Sequence, residues 1–322
     1  MKLIISIFII SSILSYYDIE NHKKIVSYIN NLRTTWKANL NKIDISSILS
    51  KNYKQKELTI LSERKYFYAS RSYLPDNYDL RKEYPKCDSI KEIYDQSNCD
   101  SSWAISSAQA ISDRICIYTG GNLQTRISPT HIISCCPNCG FGCGGGHTAT
   151  TFIFWKNEGI PTGGKYGDKK TCKPYFLKPD IDNELLNRDE YPIIPECENK
   201  CQKGYNKSIE EDKSYGLEIY YVKGEENIMK EIFENGPVVS TFNVYEDFID
   251  YKSGIYQHIT GEIIGMQNIK IIGWGINDDG IKYWLCTNSW NVIWGEKGFF
   301  RILKGENECG IEEYAIAGMP KI

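Results

Sequence analysis

Apolar and polar residues alternate along much of the second half of the chain, beyond about residue 215. Three stretches there have the two-residue period that predicts β-strands: residues 217–222, 237–244 and 269–274. Residues 226–235 have the spacing of a helix, and so do residues 101–116 earlier in the chain. A helical part followed by a strand-rich part predicts an α+β fold with two lobes.

The segment after the N-terminus differs from the rest, because residues 18–72 contain neither cysteine nor glycine. Five of its apolar side chains recur at helical spacing and predict a short amphipathic helix: Ile25, Ile29, Leu32, Trp36 and Leu40. Residues 52–57 carry little apolar surface and are typical of a linker. Residues 73–322 then form a separate region in which glycine, cysteine and aromatic residues accumulate.

The N-terminus itself has the pattern of a secretory signal peptide. Lys2 precedes an apolar run over residues 3–14, and polar residues follow from Ser15. The run is too short for the ~20 residues of a membrane-spanning helix, and no other segment is apolar for long enough. Residues 1–17 are therefore predicted to be a signal peptide; the alternative is a buried N-terminal strand or helix.

Composition and charge exclude several classes of function. The chain has 322 residues, of which 41% are hydrophobic and 25% charged, as in an ordinary globular protein. Its formal net charge is -3, so it has no basic field that could hold a nucleic-acid backbone. We expect neither nucleic-acid binding nor a membrane span.

Twelve cysteines allow two interpretations, and eight of them fall within residues 87–172. They could ligate zinc in a reducing compartment or form disulfides in an oxidising one. The predicted signal peptide favours disulfides, and we expect no metal and no cofactor.

From about residue 74 to its end, the chain resembles the papain-like cysteine peptidases, and among them cathepsin B. Five motifs carry the resemblance: DQSNCDSSW at 95–103, AISDRIC at 110–116, YKSGIYQHITGE at 251–262, NSW at 288–290 and WGEKGFF at 294–300. NLRTTWKA at 31–38 is a weaker match to the propeptide of that group. The resemblance implies a propeptide-like segment over residues 18–72, called the pro-segment below. It also implies a peptidase domain over 73–322, with a helical lobe at about 85–205, a β-rich lobe at about 206–310 and a cleft between them.

Peptidases of this family need four groups: a thiolate nucleophile at a helix N-terminus, a histidine, an asparagine that orients the histidine, and a glutamine in the oxyanion hole. By resemblance, Gln96 is the oxyanion-hole residue and Asn288 is the orienting residue. Ser102 stands at the nucleophile position and Gln267 at the histidine position. A serine hydroxyl attacks a peptide only when a base removes its proton, and an amide is not such a base.

Two neighbouring changes agree with this reading of the site. Asp100 stands where the family has a glycine, and its charge would oppose a nearby oxyanion. Met266 replaces a glycine and should narrow the cleft. Among the four histidines, His147 is the only plausible substitute base, because it follows the glycines that line the cleft in the family. His22 lies in the pro-segment, His131 is expected to be a structural surface residue, and His258 matches a non-catalytic histidine.

The resemblance also identifies the cleft. Its lining is predicted to comprise Gly145, Gly146, His147, Thr148, Thr241, Asn268, Trp290 and Tyr314. Residues 172–201 match the occluding loop of cathepsin B but lack its paired histidines, so exopeptidase action is not expected. The polar lining is compatible either with drift in an unused cleft or with selection for a different peptide ligand.

The family pattern further implies five disulfides: Cys87–Cys116, Cys99–Cys143, Cys135–Cys197, Cys136–Cys139 and Cys172–Cys201. Cys286 and Cys309 remain, and both are expected to be reduced and buried. Asn206-Lys207-Ser208 is a glycosylation acceptor in a loop-like setting.

These observations predict a secreted, catalytically inactive homologue of cathepsin B, located outside the cell or in a lysosome-like vacuole. Its expected partner is a peptide or protein held in the cleft, such as a protease inhibitor or another secreted protein. The alternatives are an active peptidase that uses serine and a purely structural protein without a ligand cleft. Whether the pro-segment is cut within residues 66–72 or stays attached is left open by the sequence.

Overall fold

The computed structural model of the protein describes residues 19–41, 49, 60–66, 74–179 and 192–322. The predicted signal peptide, the linker at 52–57 and most of the predicted cutting region at 66–72 lie outside the described residues. No helix among the described residues is long and apolar enough to cross a membrane.

Eight α-helices occur in the described residues. Their bounds are α1 at residues 19–31, α2 Leu80–Glu83, α3 Ser102–Tyr118, α4 Pro129–Cys135, α5 Thr148–Asn157, α6 Ile209–Asp212, α7 Glu225–Asn235 and α8 Glu246–Ile249. The predicted helices at 101–116 and 226–235 are confirmed as α3 and α7. Ser128 starts α4 by accepting a hydrogen bond from the N–H of His131, and Pro129 occupies its first turn.

Ten strands form one sheet in the described residues. They are β1 Trp36–Ala38, β2 Ser62–Glu63, β3 Tyr78–Asp79, β4 Tyr215–Val222, β5 Val238–Tyr245, β6 Tyr251–Tyr256, β7 Ile263–Ile276, β8 Lys282–Thr287, β9 Phe299–Leu303 and β10 Ala315–Lys321. The order is β1-β6-β9-β8-β7-β5-β10-β4-β2, with β3 beside β7. The strands predicted at 217–222, 237–244 and 269–274 are confirmed as parts of β4, β5 and β7.

Two hydrophobic cores give the molecule its two lobes. One core surrounds α3, α4 and α5 and includes Trp103, Ile111, Phe152 and Trp155. The other lies within the sheet, where large aromatic side chains pack together; an example is Phe248, whose ring centroid is 5.1 Å from that of Trp294. Helix α3 contacts β7, β10 and β5, so it joins the helical lobe to the sheet. The α+β, two-lobed fold predicted from the sequence is confirmed.

The described part of the pro-segment is attached at both ends of this sheet. Strand β1 pairs antiparallel with β6, and β2 pairs parallel with β4. The prediction of one helix running from Ile25 to Leu40 is wrong beyond residue 31, because Trp36 lies in β1. There the Trp36 indole N–H donates to the Gln257 carbonyl at 2.9 Å, and strand pairing with β6 outweighs the helical spacing.

All five disulfides implied by the resemblance are present: Cys87–Cys116, Cys99–Cys143, Cys135–Cys197, Cys136–Cys139 and Cys172–Cys201. Cys286 is free and buried, as expected. Cys309 is also free, but it is only half-buried, and the prediction that it is buried is therefore wrong. It lies in a tight turn with φ +53°, which follows Asn307, another residue with positive φ, near the molecular surface.

Candidate functional site

Ser102 is the first residue of helix α3, and its side chain is fully buried. The segment that precedes this helix is tied to a glycine-rich loop, residues 140–146, by the Cys99–Cys143 disulfide and by a hydrogen bond from the Asp100 N–H to the Cys143 carbonyl at 3.1 Å. No side chain caps the helix, because the Ser101 hydroxyl is paired with the Tyr175 hydroxyl at 2.8 Å. The positive end of a 17-residue helix therefore coincides with the predicted nucleophile position.

The Ser102 hydroxyl oxygen is surrounded by amide donors. It accepts hydrogen bonds from the backbone N–H and from the side-chain Nδ2 of Asn268, each at 3.3 Å. Asn268 is oriented by the Thr241 hydroxyl, which donates to Asn268 Oδ1 at 2.7 Å. Neither partner of Ser102 can take up a proton near neutral pH, because both are amide nitrogens.

Gln267, the residue before Asn268 in β7, is fully buried. It belongs to a hydrogen-bonded group of three amide side chains and one hydroxyl, called the amide cluster below: Gln96, Gln267, Asn288 and Ser289. Its Nε2 donates to Gln96 Oε1 and to Asn288 Oδ1, both at 2.9 Å, and lies 3.2 Å from the Ser289 hydroxyl oxygen. Among the described residues, Gln267 Oε1 has no hydrogen-bond partner. The structure thus brings together the predicted oxyanion, histidine and asparagine positions.

Gln96 is fixed within the amide cluster by both of its side-chain atoms. Its Nε2 donates to the Cys99 carbonyl at 3.0 Å, while its Oε1 also accepts from the Ser289 hydroxyl at 2.6 Å. The Tyr175 hydroxyl donates to the Gln96 carbonyl at 3.0 Å. Ser289 and Tyr175 were not predicted to act here, although Ser289 lies in the NSW motif at 288–290 and Tyr175 lies in residues 172–201, which match the occluding loop.

The predicted cleft residues of the helical lobe lie in the glycine-rich loop, residues 140–146, or directly after it. Gly145 has φ +98°, and a Cβ atom on Gly146 would lie 2.5 Å from the Trp103 ring, so both positions need glycine. His147 follows as the N-cap residue of α5, with its N–H donating to the Cys139 carbonyl at 2.7 Å, and Thr148 is buried.

On the sheet side, Asn268 contacts Ser102 and Thr241 contacts Asn268, and all four predicted cleft residues there are buried: Thr241, Asn268, Trp290 and Tyr314. Trp290 is 2% exposed, and its ring lies edge-on to Trp294 with centroids 5.0 Å apart, as part of the aromatic core. Tyr314 is 8% exposed, and its carbonyl accepts from the Ser240 hydroxyl at 3.3 Å.

The remaining histidines lie elsewhere. His22 Nδ1 is 2.7 Å from Asp250 Oδ2, and the His258 ring stacks on Tyr245 with centroids 3.7 Å apart. His131 is not a surface residue, contrary to prediction: it is 6% exposed, and burial lowers the pKa of its imidazole to about 3. It is buried because α4 packs on α3, which turns the ring inward toward Phe154. Among the described residues, no group of acidic, histidine or cysteine side chains could hold a metal ion.

Asp100 is the most unusual charged group near the site. It is 5% exposed, and in the described structure its Oδ1 has no hydrogen-bond partner. Burial alone raises the pKa of its carboxyl to about 7, because no nearby cation compensates for the lost water. At neutral pH the carboxyl is therefore close to half ionised.

We expect the Asp100→Asn variant to be more stable than the wild type at pH 8, by on the order of 4 kcal/mol. The folded state holds this proton more tightly than the unfolded state, so the wild type loses stability as pH rises from about 4 through 7. The difference between the two proteins should vanish near pH 4. Urea unfolding followed by tryptophan fluorescence across this pH range measures the difference, with exposed Asp88→Asn as the control. A stability difference that does not change with pH would contradict the prediction.

The fold and this site define the class of protein. The sequence pattern of the papain family of cysteine proteases matches residues 74–319, and the chain belongs to that family. Within the family the chain is cathepsin B-like. It is 46% identical over 257 residues to cathepsin B-like cysteine proteinase 6 of Caenorhabditis elegans, an alignment that covers 77% of this chain and 67% of the relative.

Two further comparisons include the pro-segment. The chain is 40% identical over 316 residues to cathepsin B-like cysteine proteinase 4 of Caenorhabditis elegans, which covers 94% of this chain and 93% of the relative. Its structure is similar to that of procathepsin B S9 from Trypanosoma congolense, with a TM-score of 0.81 and 35% identity. That match covers 93% of this chain and 98% of the other, so the described architecture is that of a peptidase with its pro-segment in place.

Proposed function

We propose that this cathepsin B-like protein is not a peptidase and that it acts by binding a peptide or protein in its cleft. The proposal rests on the hydrogen bonds of two amide side chains, Asn268 beside Ser102 and Gln267 at the histidine position. Asn268 supplies only N–H groups to the Ser102 oxygen, and Gln267 donates to Gln96 and Asn288. A nucleophile and base that act as a unit are absent from this arrangement of described residues.

The position of the Gln96 side chain supports the same proposal. Its Nε2 already donates to the Cys99 carbonyl, and its oxygen is held by two donors, from Ser289 and Gln267. A donor for an oxyanion must be aimed at the place where negative charge develops. In this cluster the Gln96 amide N–H group instead donates to the backbone of its own loop, at Cys99.

The proposal includes passage through the secretory pathway. The N-terminal pattern of residues 1–17 supports it, and five disulfides need an oxidising compartment to form and persist. Asn206 is exposed, as a glycosylated asparagine must be. The final location, outside the cell or in a lysosome-like vacuole, is part of the same proposal.

We expect the purified wild type to cleave fluorogenic peptides no faster than its Ser102→Ala variant. The measurement is the initial rate with a panel of peptide coumarylamides at several pH values, accompanied by intact-mass analysis that shows whether the pro-segment and a glycan are present. A rate well above that of Ser102→Ala, together with fluorophosphonate labelling of Ser102, would refute inactivity. It would establish a peptidase that uses serine.

A further inference from the structure

The last described stretch of the pro-segment, residues 60–66, lies on a buried charge cluster of the peptidase domain. Strand β2 pairs with β4, and directly after β2 the Arg64 N–H donates to the Tyr221 carbonyl at 2.8 Å. Arg64 and Tyr66 are half-buried, whereas Lys65 between them is exposed. This alternation is that of an extended chain, with the arginine and tyrosine side chains toward the domain and the lysine side chain toward solvent.

The cluster is centred on Glu231 of helix α7, whose side chain is fully buried. Its Oε1 accepts hydrogen bonds from Arg114 Nη2 at 2.8 Å and from the Tyr220 hydroxyl at 2.7 Å. Its Oε2 faces the pro-segment: the Tyr66 hydroxyl donates to it, and Arg64 Nη1 lies 3.9 Å away. The pro-segment therefore supplies a hydroxyl and a guanidinium to a carboxylate that the domain itself has buried.

Arg64 makes two further contacts with the domain. Its guanidinium carbon lies 3.6 Å from the centroid of the Tyr220 ring, and its Nη2 donates to Glu218 Oε2 at 2.5 Å. Within the domain, Asn235 Nδ2 is 3.4 Å from Glu231 Oε2, which is long for a hydrogen bond. Loss of the pro-segment would therefore remove the stronger donors of this oxygen and the cation on the Tyr220 ring.

Glu231 keeps its charge in mild acid. Burial by itself would raise the pKa of Glu231, but Arg114 of α3 and the hydroxyls of Tyr66 and Tyr220 together hold this pKa below its ordinary value. Arg64 is the other charged group that faces the carboxylate. Since a lowered carboxyl pKa weakens such contacts only when the pH falls below the ordinary value, they should be as strong at pH 5 as at pH 7.

We propose that Glu218, Tyr220 and Glu231 form an anchoring site for the extended segment 64–66, and that a pro-segment cut after Tyr66 stays bound through this site as a non-covalent subunit. The partner that fits the surface is a strand with an arginine and a tyrosine two residues apart, which the chain itself supplies. The site lies on β4 and α7, which carry none of the residues predicted to line the cleft. The inference is therefore independent of ligand binding in the cleft.

The test uses the full chain with a recognition sequence for a site-specific protease inserted between Ala69 and Ser70 and an affinity tag at the C-terminus. The folded protein is cut, captured on resin by its tag and washed at pH 7 or pH 5. Gel electrophoresis then measures how much of the N-terminal fragment remains with time. We expect the wild-type fragment to stay bound for hours at both pH values, because its contacts must all break before it leaves.

Tyr66→Phe and Arg64→Gln should each release the fragment at least about tenfold faster, because each removes contacts to a carboxylate. Lys65→Gln is the matched control: it removes a positive charge from the exposed position between them and should keep the wild-type rate. Circular dichroism of the uncut variants checks that each is folded. Release of the wild-type fragment within minutes at either pH would overturn the proposal, and so would equal release rates in the three variants.

Discussion

Changing Ser102→Cys and Gln267→His together should convert the protein into a working peptidase, with kcat/KM on the order of 10⁴ above either single variant. The thiol would stand at the uncapped N-terminus of a 17-residue helix, where the helix dipole and an imidazolium lower its pKa. A histidine at position 267 would donate a ring N–H to Asn288 Oδ1, the atom that accepts from Gln267 Nε2 at 2.9 Å in the wild type. Neither change alone supplies both a thiolate and a proton donor.

Two measurements separate restored chemistry from restored structure. Peptide cleavage gives the rate, and the pH dependence of iodoacetamide alkylation gives the thiol pKa, which should be lower in the double variant than in Ser102→Cys. Ser102→Cys with Gln267→Asn is the matched control, because it keeps the thiol and places an amide where the imidazole would be. A folded double variant that is no faster than this control would contradict the prediction.

Lys270→Met should destabilise the protein by about 3–5 kcal/mol. Lys270 Nζ and Asp113 Oδ2 are 2.5 Å apart, both side chains are fully buried, and the pair links β7 to α3. Lys270 and Asn268 share one face of β7, so the strand that donates to Ser102 is held to the Ser102 helix by this ion pair. Methionine would leave the Asp113 carboxylate buried without its cation.

A second variant keeps this prediction specific to the ion pair. Lys270→Met combined with Asp113→Leu should recover most of the lost stability, because buried pairs replaced by apolar residues are often neutral. Lys282→Met, on an exposed position of β8, should have little effect. Guanidinium unfolding of the four proteins measures the differences, and an equal loss in the single and double variants would show that the charge pair is not the cause.

Regular periodicity made the main elements predictable. Helix α3 and strands β5 and β7 are buried along most of their length, so apolar residues recur densely enough in each of them to indicate a regular element. Trp36 was misassigned, since its spacing from Ile29 fits a helix, whereas its backbone pairs with β6 and its indole N–H donates to the Gln257 carbonyl. A contact that spans more than two hundred residues leaves no local trace in the sequence.

The candidate site was predictable only through the resemblance. The motifs assigned Gln96, Asn288, Ser102 and Gln267 to positions of the family's catalytic site. They do not encode hydrogen-bond directions, because these depend on side-chain orientation. The role of Asn268 as the donor to Ser102 was therefore missed, although the residue itself was predicted to line the cleft. Burial of His131 was missed for the same reason: it depends on the packing of α4 against α3.

The pro-segment has a consequence for association between molecules. Its strands β1 and β2 occupy the two outermost places of the described sheet, next to β6 and β4. A chain that lost this segment would present unpaired N–H and C=O groups along both β6 and β4, which is the arrangement that lets sheets of separate molecules join edge to edge. An attached pro-segment thus covers both edges of the sheet with one stretch of chain and disfavours aggregation through them.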